Sequence, residues 1–140
     1  MYRLLFAATV LCTTVAHSQT LTAVCKSPKG TTVVAGDKLV SEPDGFGDGV
    51  FTYSWKQGSK TATIISQSGV AAGGVPSTED ATAVEGEGFV TFVVRYDRAV
   101  WIHSLYPQRR VVLMSRHVNS LTRGAAVGGL YTATCSMATQ

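Results

Sequence analysis

Between residues 89 and 118, three β-rich runs follow one another with almost no chain left over to join them. They cover residues 89–95, 99–105 and 110–116 and are dense in Val, Ile, Phe and Trp, side chains that fit a pleated, half-buried surface. Tyr96-Asp97-Arg98 joins the first two, and Tyr106-Pro107-Gln108-Arg109 joins the last two. Links that short force their neighbours to pair antiparallel. Whatever else the chain does, it must build an antiparallel meander here.

The turns suggest a register. With Asp97-Arg98 as a two-residue loop, Phe92 faces His103 and Val94 faces Trp101. With Pro107-Gln108 as the second loop, His103 faces Val112 and Trp101 faces Met114. One face then carries Val90, Phe92, Val94, Trp101, His103, Leu105, Val112 and Met114, an apolar surface holding one imidazole. The other has Val93, Ile102 and Leu113 across its middle, with Thr91, Ser104, Arg95 and Ser115 around them. A slip of one residue would exchange the faces of a strand. A sheet with one wet side alternates more cleanly than this. The meander therefore belongs to a curled barrel or a sandwich, or one of its faces receives a ligand or partner.

The chain has 140 residues, which suggests one domain. Its first eighteen residues read as a secretory signal. Arg3 supplies the charged region, residues 4–15 an apolar stretch too short to span a bilayer, and Ala16-His17-Ser18 the small residues of a cleavage site before Gln19. Leu11 precedes Cys12 where a lipid-anchor site wants a small residue, so Cys12 reads as part of the apolar stretch. The expected organisation is a signal helix over 1–18, outside the fold, and a single all-β domain over 19–140. The location that follows is periplasmic or secreted.

Cleavage leaves Cys25 and Cys135 as the remaining cysteines. Exported chains with two cysteines commonly pair them, whereas two buried free thiols are the alternative. A bridge requires Cα atoms within roughly 7 Å. It therefore places the first and last strands side by side.

Along the chain, residues 21–26 read as a short strand, Ser27-Pro28-Lys29-Gly30 as a β-turn, and 31–35 as a returning strand. The Gly- and Asp-rich stretch 42–49 reads as a solvated loop. It lacks the further oxygen ligands and terminal Glu of a calcium loop, so no metal is assigned to it. Residues 50–57 alternate Phe51, Tyr53 and Trp55 with Thr52, Ser54 and Lys56, and 61–66 follow as the antiparallel partner. Residues 68–88 are poor in large apolar side chains and read as a long loop, with a short strand near 81–84 as an option. Residues 117–128 read as a second loop, and 129–136 as the last strand, with Tyr131, Ala133 and Cys135 on one side. The expected fold is all-β, a small antiparallel barrel or sandwich of about eight short strands.

Charge is unevenly placed. Residues 37–87 hold eight acids against three lysines, a balance of −5, whereas residues 88–140 hold six arginines against Asp97 alone, a balance of +5. The net charge of +3 gives little support to a nucleic-acid partner.

Three stretches carry a resemblance: Cys25-x-x-Pro28-x-Gly30, then Trp101-Ile102-His103-Ser104-Leu105-Tyr106-Pro107, then Gly129-Leu130-Tyr131 to Cys135. This frame resembles that of short secreted bacterial proteins to which no activity is attached. A weaker likeness is to small periplasmic barrels that inhibit lysozyme, which would imply an exported, disulfide-bonded inhibitory barrel. Their Ser-Gly-x-x-Tyr loop is not matched, since Ser68-Gly69-Val70 continues without a Tyr.

His103 is the most informative single residue for chemistry. An imidazole among Phe92, Trp101 and Val112 loses hydration, which lowers its pKa. Such burial marks either a functional site or a core histidine hydrogen-bonded to backbone or near Ser104. A zinc pair with His117 fails on distance, because five positions along a strand separate the two by about 16 Å. Gly-x-Ser-x-Gly, His-Glu-x-x-His and Cys-x-x-Cys patterns are absent, so no catalytic residue and no cofactor is assigned.

Two binding candidates remain. Trp101, His103, Phe92 and Trp55 would line a pocket inside a barrel, or else fill its core. Arg95, Arg98 and Arg116 fall near one end of the meander and would form an anion site, or else a solvated basic rim. The expectation is an exported, non-catalytic binding or inhibitory module of the cell envelope. Its partner would be another envelope or host protein or an anionic glycan, with no nucleic acid and no membrane span. An envelope structural protein without a discrete ligand is the alternative, and a hydrolase the distant one.

Overall fold

A computed structural model of the chain describes residues 19–36, 39–43, 47–67, 76–121 and 124–139. The expected signal segment, Ser68-Gly69-Val70 and residues 44–46 of the expected 42–49 loop lie outside the described residues, while Glu42 and Pro43 belong to a strand and not to a loop. Nine strands are seen among the described residues: β1 (Thr20–Ala35), β2 (Leu39–Pro43), β3 (Val50–Lys56), β4 (Thr61–Gln67), β5 (Pro76–Gly86), β6 (Phe89–Arg95), β7 (Ala99–Tyr106), β8 (Val111–Ser120) and β9 (Ala125–Thr139). From β3 onward each pairs antiparallel with the next.

Closure comes from β1. One of its edges pairs with β9 from Leu21–Thr139 to Ala35–Ala126. The other edge pairs first with β3 over Thr20–Lys26 and then with β2 over Thr31–Ala35. The result is an eight-stranded barrel of β1 and β3–β9, with β2 continuing the free half of β1. It is a barrel and not a sandwich. Cys25 and Cys135 are directly opposite across the β1–β9 seam, with Cα atoms 4.0 Å apart, and form a disulfide.

The expected turn at Ser27–Gly30 is not a turn. The pairing steps from Lys26–Thr134 to Lys29–Thr132, so Ser27 and Pro28 together oppose one residue of β9. Ser27 takes a positive φ of 53° and donates its N–H to the Gly49 carbonyl at 3.0 Å. Such a bulge accommodates a proline inside a strand, because the residue that cannot join the ladder is set aside. It also switches parity. Before it Ala23 and Cys25 face inward; after it Pro28 and Thr32 do.

The long loop expected over 68–88 contains a strand. β5 pairs with β4 on one side and β6 on the other. Its inward positions, Ala81 and Ala83, are buried, and its outward ones, Asp80 and Thr82, are exposed. The strand has no large apolar residues inside because the rings of its neighbours fill that space. Tyr53 and Phe92 stack there with centroids 5.5 Å apart. Likewise the loop expected at 117–128 is mostly hairpin: β8 runs on to Ser120 and β9 starts at Ala125.

In the meander, Phe92 pairs with His103 and Val94 with Trp101, as the first turn implies. The second register differs by two. His103 pairs with Met114 and Trp101 with Arg116. The connection is a four-residue one: a 3-10 turn at Pro107–Arg109 followed by Arg110 in the left-handed region. An even shift leaves every side chain on its expected face. Val90, Phe92, Val94, His103, Leu105, Val112 and Met114 are all buried inside the barrel.

Tyr131 depends on two glycines. A Cβ at Gly129 would lie 2.1 Å from the Tyr131 hydroxyl, and one at Gly30 would lie 2.4 Å from its ring. The ring lies across the space those side chains would fill. Gly128 has only the Arg116 carbonyl near it, at 3.9 Å. Gly129→Ala is therefore expected to cost about 1–3 kcal/mol by displacing the ring, seen as a lower urea midpoint at unchanged slope. Gly128→Ala should leave the midpoint nearly where it was; equal losses for both would contradict the role given to Tyr131.

Candidate functional site

His103 sits at the middle of the interior. β7 directs it inward between Phe92 of β6 and Met114 of β8. Its ring stacks on Trp101 with centroids 5.8 Å apart and meets Phe51 and Tyr53 at 5.7 Å each. It is 2% exposed. Its Nδ1 is 2.9 Å from the Tyr53 hydroxyl, which also approaches the Met114 Sδ at 3.7 Å. Burial pushes the His103 pKa down to about 4 and the Tyr53 phenol upward. Both partners are thus neutral near pH 7, and a neutral pair satisfies two buried polar groups without burying a charge.

The four residues expected to line a pocket all point into the barrel, but they do not enclose a space together. Trp101, His103 and Phe92 belong to one packed cluster. Trp55 is four residues beyond Phe51 on β3, about 13 Å further along the strand, and its indole N–H donates to the Ser59 carbonyl at 2.8 Å. Tyr53, Phe92, Leu105, Met114, Val90 and Val112 occupy the interior with almost no exposure. A pocket of about 220 Å³ does open at the Trp55 end, between Leu21, Phe89, Pro107 and Glu85. It lies at the mouth and not beside His103.

The three arginines also separate. Arg116 faces inward at the opposite mouth. Its guanidinium lies 5.7 Å over the Trp101 ring and 5.5 Å over the Tyr131 ring, and Nη2 donates to Thr32 Oγ1 at 3.2 Å. The same Thr32 hydroxyl is 2.9 Å from the Tyr131 hydroxyl. Arg116 is thus held by stacked rings and a hydroxyl, and packing is a large part of what its side chain does there. Arg95 and Arg98 lie outside, in a shallow depression of about 400 Å³ that also includes Tyr96, Asp97, Val100, His117 and Asn119. The residue that joins the two exposed arginines is His117, paired with Val100.

Tyr96 marks the same rim. Its pKa is pushed up to about 12, first by burial, then by the charge of Glu79 and a hydrogen bond to it. The bond ties the β6–β7 turn back to β5. Sequence reading missed it, because Glu79 falls in a stretch taken for loop.

The outer face of the meander is the remaining feature. Val93 and Ile102 are half-buried side by side across the β6–β7 pair, while Leu113 on β8 and Leu130 on β9 are exposed. Ser115 lies between them, paired with Ile102 on one side and Leu130 on the other.

Acid should destabilise the protein through His103. Its folded pKa is about 4 against 6.5 for a free imidazole. The unfolded chain therefore binds a proton first, and stability present above pH 6.5 falls as the pH drops toward 4. The loss expected across that window is about 3 kcal/mol. His103→Phe should cost about 1–3 kcal/mol at pH 7, since the Tyr53 hydroxyl loses its nitrogen partner, and should remove this share of the acid decline. Urea unfolding of both proteins at pH 7, 5.5 and 4.5 checks it. Parallel declines would show that the imidazole is not the group responsible.

Searches with the sequence find no matching family model and no matching curated protein.

Proposed function

We propose that the chain is an exported, non-catalytic binding module of the cell envelope that engages its partner through its outer surface. The observation that carries this is the combination of a filled interior with an apolar outer face on β6–β9. A lumen occupied by Tyr53, Phe92, His103 and Met114 leaves no room for a ligand beside the imidazole. Recognition then falls to the outside of the barrel and its rims.

Export is supported by the charged and apolar pattern of residues 1–18 and by the Cys25–Cys135 disulfide, which suits an oxidising compartment. Among the described residues no helix is long and apolar enough to cross a membrane. On β3 to β5 the outward face is mostly polar, with Ile65 and Val84 the exposed apolar residues on it. A barrel in lipid wears an apolar belt outside, whereas β3, β4 and β5 turn Ser54, Lys56, Thr61, Asp80 and Thr82 outward.

A non-catalytic role is supported by the closure of the His103–Tyr53 pair from solvent, because a general base must reach the proton it takes. Inhibition by a protruding loop over 68–88 is weakened, since residues 76–86 are a barrel strand. An envelope structural protein is the second reading, favoured by the same filled interior. The exposed Leu113 and Leu130 speak for a partner instead.

The test is thermal unfolding of the oxidised protein, followed through a fluorophore placed on it, against a panel of lysozymes and anionic glycans. A specific ligand at a hundred times its Kd stabilises by about 2.7 kcal/mol, a rise of several degrees for a domain of this size. A shift with at least one member is expected; no shift with any member would leave the structural reading in its place.

A further inference from the structure

We infer that the outer face of β6–β9 is a docking surface for an acidic protein, one whose contact region sets apolar side chains between flanking carboxylates. This names the partner class for the binding-module reading and rests on it.

The face has an apolar centre. In the sheet register Val93 lies beside Ile102, Leu113 sits diagonally from both Ile102 and Leu130, and Leu130 lies in line with Ile102 across Ser115. Leu130 is 65% exposed and Leu113 43%. Isolated surface leucines need no explanation, but a contiguous apolar group on one face does. Nothing within the described fold covers it.

The face is also predominantly basic, with Asp97 in the β6–β7 turn the one acid among its strands and their connecting turns within the described residues. Strands β6 to β9 contain no aspartate or glutamate. Arginines stand at both ends: Arg95 and Arg98 at the β6–β7 turn, Arg109 and Arg110 at the β7–β8 turn, all exposed. The eight residues of β7 separate these ends by about 25 Å. An apolar centre framed by arginine is the composition expected of a protein-binding patch. The framing decides what fits. Turned on itself by a two-fold axis, the face would set arginine against arginine, so a second copy of this chain is disfavoured. A polyanion would match the rims and leave the leucines unused. Carboxylates flanking an apolar centre match both.

Two fluorescent amphipathic peptides test this, one with a leucine face edged by glutamates and one edged by lysines, alongside a sulfated polysaccharide and sedimentation of the protein alone. The glutamate-edged peptide should bind the oxidised protein and the lysine-edged one should not. Leu113→Asp/Leu130→Asp should weaken binding at least tenfold, and Arg95→Glu/Arg110→Glu should do the same. All four positions are exposed, so the variants should keep the parent's unfolding temperature, and each pair checks the other. The protein should sediment as a monomer. The inference is overturned if the glutamate-edged peptide fails to bind, if both peptides bind alike, or if the leucine pair leaves binding unchanged. It is equally overturned by a polysaccharide that displaces the peptide from the leucine variants as well as from the parent, or by a dimer that Leu113→Asp/Leu130→Asp disperses. None of these results touches the thermal-shift panel. A ligand found there that still binds the leucine variants would keep the module and move its site.

Discussion

β1 and β9 lie against each other from Leu21–Thr139 to Ala35–Ala126, and the barrel is closed by that ladder. Every other neighbouring pair from β3 onward is joined by a local connection, which costs little chain entropy to close. The β1–β9 pairing joins residues 110 apart at the disulfide. In the chain-entropy account a crosslink over so long a loop removes about 4–5 kcal/mol of unfolded-state freedom. The sulfur bridge thus bears on the one contact that the chain finds hardest to make. Closure has a second effect: it leaves β1, β3 and β9 without an edge open to another chain along their shared length.

Once the seam is set, the interior has a fixed volume, and the sequence divides it unevenly. Tyr53, Phe92, Trp101 and Tyr131 cross the lumen, and Ala23, Ala62, Ala81, Ala83 and Ala133 line the wall opposite bulk. Gly30 and Gly129 extend that logic to the backbone, giving up side chains so that the Tyr131 ring has somewhere to lie. Several polar side chains that enter this interior meet one another: His103 with Tyr53, Thr32 with Tyr131 and with Arg116. Such satisfied pairs hold buried residues to one arrangement. Among the described residues the same filling leaves no space for a ligand beside His103.

Much of this was legible in the residues, and the exceptions have physical causes. The antiparallel meander, the aromatic face of β3, the inward set Tyr131, Ala133 and Cys135, the burial of His103 with its lowered pKa, and the cysteine pairing all follow from period-two alternation and from compartment. In sequence the bulge at Ser27–Pro28 reads as a turn because both use Pro, a polar residue and Gly; only the continuous partner on β9 separates them. In sequence β5 reads as loop with at most a short strand over 81–84, because its inward residues are alanines, whose smallness makes sense only beside rings from other strands. The β7–β8 register moved by two because Arg110 adopts a left-handed conformation, which sequence seldom announces for arginine. In sequence Arg116 groups with Arg95 and Arg98 by its place along the strand, yet parity turns it inward. At the candidate site, the apolar outer residues Val93, Ile102 and Leu113 are visible in advance. Leu130 is not, since residues 117–128 read as a loop and so hide the hairpin that sets β9 alongside β8.

The closed seam is the claim on which interior, rims and outer face all stand. It is tested most directly by nuclear Overhauser contacts between Hα protons of the oxidised protein. Cys25 and Cys135 are directly opposed at a Cα separation of 4.0 Å, and Ala23 and Met137 repeat the same pairing two residues away. Strong Hα–Hα contacts are predicted for both pairs. Their absence, with β1 and β9 each showing contacts only to β3 and β8, would contradict a closed barrel.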